Sequence, residues 1–132
     1  SEQNHFEVLG VHWSASHRSF IKAKEQSKGR FALDKGSMTS ADSATKNLVR
    51  KIHGVIDDAF TTLSNAESRI QYRKKLFDAT ERQYAAEMLI KQGEVFVMRG
   101  DTVSGIEAFE TAYELSPSNK IRSLIEAARD GE

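Results

Sequence analysis

Between positions 48 and 63 the residues Leu48, Val49, Ile52, Val55, Ile56, Ala59, Phe60 and Leu63 recur at steps of three and four. That spacing gathers them on one broad face of an α-helix, whereas the faces of a strand alternate every two residues. The same helical period governs nearly the whole chain, which carries one proline, Pro117, and no convincing alternating run. The 132 residues are therefore expected to form an all-α protein, with Leu48, Ile52, Ile56, Ala59, Phe60 and Leu63 buried.

A short first helix is expected over about 6–9, stopped by Gly10. Ser14 or Ser16 can cap a second helix that runs to about Phe31. Its apolar stripe of Phe20, Ala23 and Phe31 is thin. Residues 34–43 are rich in Gly, Ser and Thr and read as a loop. After the third helix, Ser64-Asn65-Ala66-Glu67 has the form of a capping box that opens a fourth. From Ala66 to Gln92 there is no Gly or Pro, so one long helix is possible, but Asp78-Ala79-Thr80-Glu81 offers a restart and a break there is favoured.

Several function classes are excluded or disfavoured. A formal net charge of zero argues against nucleic acid or a membrane surface as a partner held by bulk charge. Cysteine is absent, so there is no disulfide, thiolate metal site or Cys nucleophile. No apolar run approaches the length of a membrane span. A cytoplasmic setting is expected. His5, His12, His17 and His53 lack metal-ligand spacing, and Gly29, Gly36 and Gly100 lie in no phosphate-binding pattern. No nucleophile has a base and an orienting group beside it in the pattern, so neither an enzyme, a cofactor nor a metal is expected. Trp13 is either a buried anchor or an interface residue.

Two known patterns can be matched along the chain. Asn4-His5-Phe6-Glu7-Val8-Leu9-Gly10-Val11 resembles the Asp-Tyr-Tyr-Glu-Val-Leu-Gly-Val opening of a J-domain, the co-chaperone module that stimulates a DnaK-class ATPase. The resemblance continues through Ala15-Ser16 to Phe31-Ala32-Leu33-Asp34-Lys35, where the family reads Tyr-His-Pro-Asp-Lys. It ends in Ala59-Phe60, Leu63-Ser64, Glu67, Arg69 and Tyr72, with Asn65-Ala66 in place of the family's Asp-Pro. The His-Pro-Asp tripeptide carries the family's activity. At Ala32, Leu33 and Asp34 only the Asp remains; Ala32 has no hydrogen-bonding side chain and Leu33 does not fix φ. The resemblance also implies a basic face on the second helix. The corresponding residues here are Ile21, Lys22, Glu25, Gln26 and Arg30, so only Lys22 and Arg30 are still basic and Glu25 has reversed sign. That is either drift of a solvent face or adaptation to another partner. The family has bulky apolar residues where Lys24 and Ser27 stand, so this helix is expected to pack loosely.

In the second half, Leu89, Gly93, Phe96, Gly100, Asp101, Gly105, Ala108, Phe109, Ala112 and Pro117 have the spacing of one tetratricopeptide repeat over about 86–119. Gly93 and Gly105 would let two antiparallel helices approach, Phe96 and Phe109 would fill the space between them, Gly100-Asp101 would turn the chain, and Pro117 would stop the second helix. Ser118 or Asn119 can cap a last helix with Ile121, Leu124, Ile125 and Ala128 on one face, either a terminal cap or the first helix of a second repeat.

The expected architecture is a J-domain-like unit over 1–78 packed against a tetratricopeptide-type hairpin with a C-terminal capping helix over 79–132, as one continuous helical body. The basic run of Arg69, Arg73, Lys74, Lys75 and Arg82 reads as a solvated face balanced by Glu67, Asp78 and Glu81. Lys91, Glu94 and Met98, on a first repeat helix over 87–98, are candidates to meet a peptide, with a purely structural role for the repeat as the alternative. The chain, which begins at Ser1, reads as part of a larger protein: a non-enzymatic protein–protein interaction module whose J-like scaffold has lost co-chaperone activity. The alternative is an atypical J-domain co-chaperone regulating a DnaK-class ATPase.

Overall fold

The computed structural model of the chain describes residues 3–30 and 42–131. Those residues form seven helices and no strand: α1 (His5–Leu9), α2 (His17–Arg30), α3 (Ser43–Ser64), α4 (Ala66–Leu76), α5 (Ala79–Met98), α6 (Thr102–Leu115) and α7 (Asn119–Asp130). None of the described helices is long and apolar enough to cross a membrane. The chain divides into two compact units, Ser1–Arg69 and Ile70–Glu132. Ala32, Leu33, Asp34, Phe31 and most of the expected loop lie outside the described residues.

In the first unit, Asn4 and Glu7 exchange backbone and side-chain hydrogen bonds in a capping box, and Gly10 ends α1 in the left-handed region at φ 72°. α2 starts directly after Ser16. Ser14 instead sits 2.7 Å from His12 Nδ1. The core consists of Phe6, Leu9, Phe20, Ala23, Ile56, Ala59 and Leu63, with the Phe6 and Phe20 ring centroids 6.1 Å apart. The expected loose packing of α2 is resolved by polar contacts. The buried Ser27 hydroxyl donates to the Leu9 carbonyl at 3.5 Å. Lys24 lays its ammonium 4.4 Å from the Phe60 ring centroid, within reach of a cation–π attraction.

The stripe of α3 is only partly covered. Ile56, Ala59 and Leu63 are buried, Val49, Ile52 and Phe60 are half-buried, and Leu48 and Val55 are exposed, Leu48 at 58%. The expectation that Leu48 would be buried is thus wrong, and for a geometric reason. α1 has 5 residues and α3 has 22, so α1 spans only about 8 Å of a helix roughly 33 Å long. Within the unit both α1 and α2 pack on α3.

The helix start after α3 is also displaced. α3 continues through Ser64, so Asn65 is the cap, its Oδ1 accepting from the Ser68 N–H at 3.0 Å. Ser68 therefore holds the third helical position, and the Ser64–Glu67 capping box does not form; the Ser64 hydroxyl donates to the Thr61 carbonyl instead. The break at Asp78 does occur. Asp78 and Glu81 form a capping box that starts α5, so the helix begins well before position 87.

In the second unit α5 and α6 form the expected hairpin, and α7 packs on α6. Gly93 and Gly105 meet where the two backbones are closest. A Cβ at Gly93 would stand 2.5 Å from Cε1 of Phe109, and one at Gly105 would stand 2.6 Å from Cγ2 of Val97. Phe109, Ala108 and Ala112 are buried, and Leu89 is half-buried. Phe96 does not fill the seam. It is 36% exposed, and Val97, one position on, faces Gly105. The Phe96 carbonyl closes the turn instead, accepting from the N–H groups of Arg99 and Asp101. Gly100 takes φ 87° and Asp101 caps α6 through the Ser104 N–H. α6 stops at Leu115, two residues before Pro117, and Ser118 caps α7 through the Ile121 N–H. Ile121 and Ala128 of α7 are buried, Leu124 and Ile125 half-buried.

Phe109→Ala should lower stability by about 3–5 kcal/mol, the cost of emptying a buried aromatic site that the glycine seam cannot collapse to fill. Urea unfolding followed by circular dichroism measures it; a loss near zero would mean that the ring is not a structural element of the hairpin.

Candidate interaction surfaces

The outer side of α2 is set by its inner side. With Phe20, Ala23 and Ser27 turned inward, Ile21, Lys22, Glu25 and Gln26 are exposed. Arg30 is the last helical residue. Two further lysines are drawn away from that outer face. Lys28 Nζ lies 2.7 Å and Lys24 Nζ 3.9 Å from Asp57 on α3. The Lys28 hydrogen bond holds the Asp57 carboxyl below the ordinary carboxylate value. The outer face therefore carries Lys22 and Arg18 against Glu25, with an amide and an isoleucine, and only a small positive excess. An open depression of about 760 Å³ lies beside it, bounded by the end of α1 and by Ser19, Lys22, Gln26 and Gly29.

A second concavity, about 560 Å³, lies between α1 and α3. Val8, Leu48, Ile52, Val55 and Ile56 give it an apolar floor, and Glu7 and Lys51 stand at its rim. No motif in the sequence marks it. Its signal was the length difference between α1 and α3, which leaves the upper stripe of α3 beyond the reach of α1.

On α5, Lys91, Glu94 and Met98 are all exposed, and Met98 is the most exposed large apolar residue among those described, at 85%. These three are brought to one side of the helix, with Tyr84, Met88 and Val95 also exposed.

The basic run is not a solvated face. Arg69 and Arg73 are buried, Arg73 at 1% exposure. Arg69 donates to the Leu63 carbonyl at 2.7 Å, and its guanidinium carbon is 5.8 Å from the Phe20 ring centroid. Arg73 forms an ion pair with Glu114 at 3.2 Å. Arg82 is half-buried and donates to the carbonyls of Phe77 and Leu115. Only Lys74 and Lys75 of the run are exposed. Asp78 and Glu81, expected to balance these charges, cap α5 instead. α4 offers Ile70, Tyr72 and Leu76 as its only large apolar residues, so a buried face had to be completed by long polar side chains.

The histidines are structural or peripheral. His5 is half-buried, and burial keeps its imidazole below the ordinary value. His17 Nδ1 lies 3.4 Å from Arg69. The His12 ring stacks on the half-buried Trp13 at 5.4 Å. Among the described residues no group of His, Asp and Glu is placed to hold a metal ion.

Arg73→Ala should cost about 3–5 kcal/mol, because it strips a partly buried Glu114 of its partner and opens a void, whereas Arg73→Met should cost clearly less by filling the same space without a charge. Thermal melts of the two variants check the order; equal losses would mean that the lost ion pair, and not the void, sets the cost there. Compared with family models, curated proteins and solved structures, the chain matches none.

Proposed function

We propose that the chain is a non-enzymatic protein–protein interaction module of a larger cytoplasmic protein. It combines a J-like scaffold that has lost the co-chaperone signal with a tetratricopeptide-type hairpin and a C-terminal capping helix. Support for the J-like reading comes from three features: the Gly10-capped short helix, the α2–α3 pair, and the residues that match the family's opening and ending. Support for the hairpin comes from the Gly93–Gly105 approach, the Gly100-Asp101 turn and the buried Phe109.

The observation that carries the loss of co-chaperone function is the outer face of α2. Ile21, Glu25 and Gln26 are exposed there, while Lys24 and Lys28 are engaged with Asp57. Complementary charge supplies encounter rate and orientation, so a face with so little net positive charge steers an acidic partner poorly. The sequence at Ala32, Leu33 and Asp34 removes the signal itself.

A steady-state ATPase assay with a DnaK-class protein tests this. The unmodified chain should leave the basal rate unchanged. Ala32→His with Leu33→Pro should not suffice, and adding Glu25→Arg and Gln26→Lys should raise the rate above that of the loop variant. Clear stimulation by the unmodified chain would overturn the reading in favour of an atypical co-chaperone.

A further inference from the structure

We propose that α7 is an exchangeable element: it lifts off α6 of its own chain and packs in the same way on α6 of a second copy, giving a two-fold dimer in which the two α7 helices are swapped. The observation behind it is the difference between the two connections of the second unit. The α5–α6 turn is locked. The Phe96 carbonyl accepts from the N–H groups of Arg99 and Asp101, and Gly100 takes φ 87°. The α6–α7 connection, residues 116–118, has neither device. Ser116 stands at φ −153° and ψ 83° and Ser118 at φ −154° and ψ 157°, with the only proline of the chain between them. Pro117 has no N–H to donate and keeps Ser116 out of the helical region. The Ser116 N–H belongs to α6, where the Ala112 carbonyl accepts it, and the Ser118 carbonyl accepts from Arg122 within α7. Among the described residues no backbone hydrogen bond bridges the three, so the connection can straighten without breaking one.

Each helix is complete up to this hinge. Leu115 is buried and its carbonyl accepts from Arg82 of α5 at 3.5 Å, so α6 stays anchored to α5 through its last residue. α7 carries its own cap, the Ser118 hydroxyl oxygen accepting from the Ile121 N–H at 3.2 Å. Its hold on α6 is lighter than the glycine seam. Ile121 and Ala128 are buried, but Leu124 and Ile125 only half-buried. At the rim the exposed Arg129 pairs with the exposed Glu110 at 3.1 Å, and Arg122 donates to the Tyr113 hydroxyl at 2.7 Å. Solvated rim pairs hold weakly, and an element with few buried contacts opens before the rest of a fold. The second copy is the occupant because the face bared when α7 lifts is one that α7 already matches. Another chain brings the same Ile121 and Ala128 to the same apolar side of α6, Arg129 to Glu110 and Arg122 to Tyr113. Exchanged by both chains, each contact is made twice about a two-fold axis, and no further face has to be complementary to itself. Two closed monomers and one exchanged dimer share these contacts, so only the hinge and the cost of association separate them, which puts the dissociation constant at about millimolar. The proposal does not rest on the J-like reading of the first unit.

The experiment is sedimentation equilibrium, up to millimolar concentration, of the full chain, of Glu110→Arg, of Arg129→Glu, and of an equimolar mixture of the two variants. A monomer–dimer equilibrium is expected for the unmodified chain. Each variant sets like charges at the α6–α7 rim, in the closed chain and in its own exchanged dimer alike. In the mixture the exchanged heterodimer brings the substituted α6 of one chain to the substituted α7 of the other, and the two native partners to each other, so both rims again pair opposite charges. The mixture should therefore associate about tenfold more tightly than either variant alone, from two repulsions relieved and two exposed ion pairs regained. A dimer through any other surface would not respond to mixing. Hydrogen exchange of the unmodified chain at low concentration gives a second readout: α7 amides should exchange faster than those of α5 and α6. A chain that stays monomeric at every concentration, a mixture no tighter than its components, or α7 amides as protected as those of the seam would each overturn the proposal.

Discussion

Two buried guanidinium groups on one helix set the conditions that much of the packing has to meet. α4 is poor in bulky apolar residues, yet Arg69 and Arg73 are sealed from water. An arginine cannot shed its proton to suit an apolar site, so each must find acceptors and its stem must be packed. Arg69 takes the Leu63 carbonyl near the end of α3 and lies near the Phe20 ring. Arg73 takes Glu114 of α6. In both units, carbonyls or carboxylates near helix C-termini supply the counter-charge, which is where the negative end of a helix dipole lies. Arg69 thus caps the end of α3 from another helix, whereas Arg73 pairs with a side chain near the end of α6, and they belong to the first and second units respectively.

The same economy recurs on a smaller scale. Where the first unit lacks apolar bulk on α2, a serine reaches the Leu9 carbonyl and a lysine covers an aromatic ring. Where the second unit lacks bulk at the seam, two glycines bring the backbones together and Phe109 fills the remaining space. These solutions differ in tolerance. The α2–α3 contacts use half-buried charges at the edge of the core that can rearrange, whereas the α5–α6 seam is backbone against ring and has little room to adjust.

Among the described residues most helix ends were legible because they depend on local chemistry. The glycine at 10, the aspartate at 78, the glycine–aspartate pair at 100–101 and the serine at 118 each act within one turn, and each does what its type predicts. What the sequence could not show was which face of a helix has a neighbour. Leu48 and Val55 have the right period and remain exposed, Leu48 because α1 is too short to reach it. Phe96 has the expected spacing and is displaced by Val97, because a helix face is chosen by its partner and not by residue size. The arginines of α4 were misread for the converse reason: charge suggests solvent until the scarcity of alternatives is counted. Of the candidate surfaces, the outer face of α2 and the exposed side of α5 were foreseeable from helical position alone. The groove between α1 and α3 needed two helix lengths that only the folded chain supplies.

The contact between Gly105 and Val97 also imposes an order on how this chain can change over generations. Alanine at 105 would raise the helix propensity of α6 by up to roughly 1 kcal/mol, but its methyl group would press on Val97 as the seam now stands. Val97→Ala would remove the nearer obstacle, and the Gly93 carbonyl, 3.0 Å from the new methyl group, would still have to give. The two sites form a ratchet: once both are alanine, a return of valine at 97 is blocked in turn. Helical hairpins descended from a common ancestor would then separate into two sets, one with Val97 and Gly105 and one with two alanines, with few mixtures surviving between them.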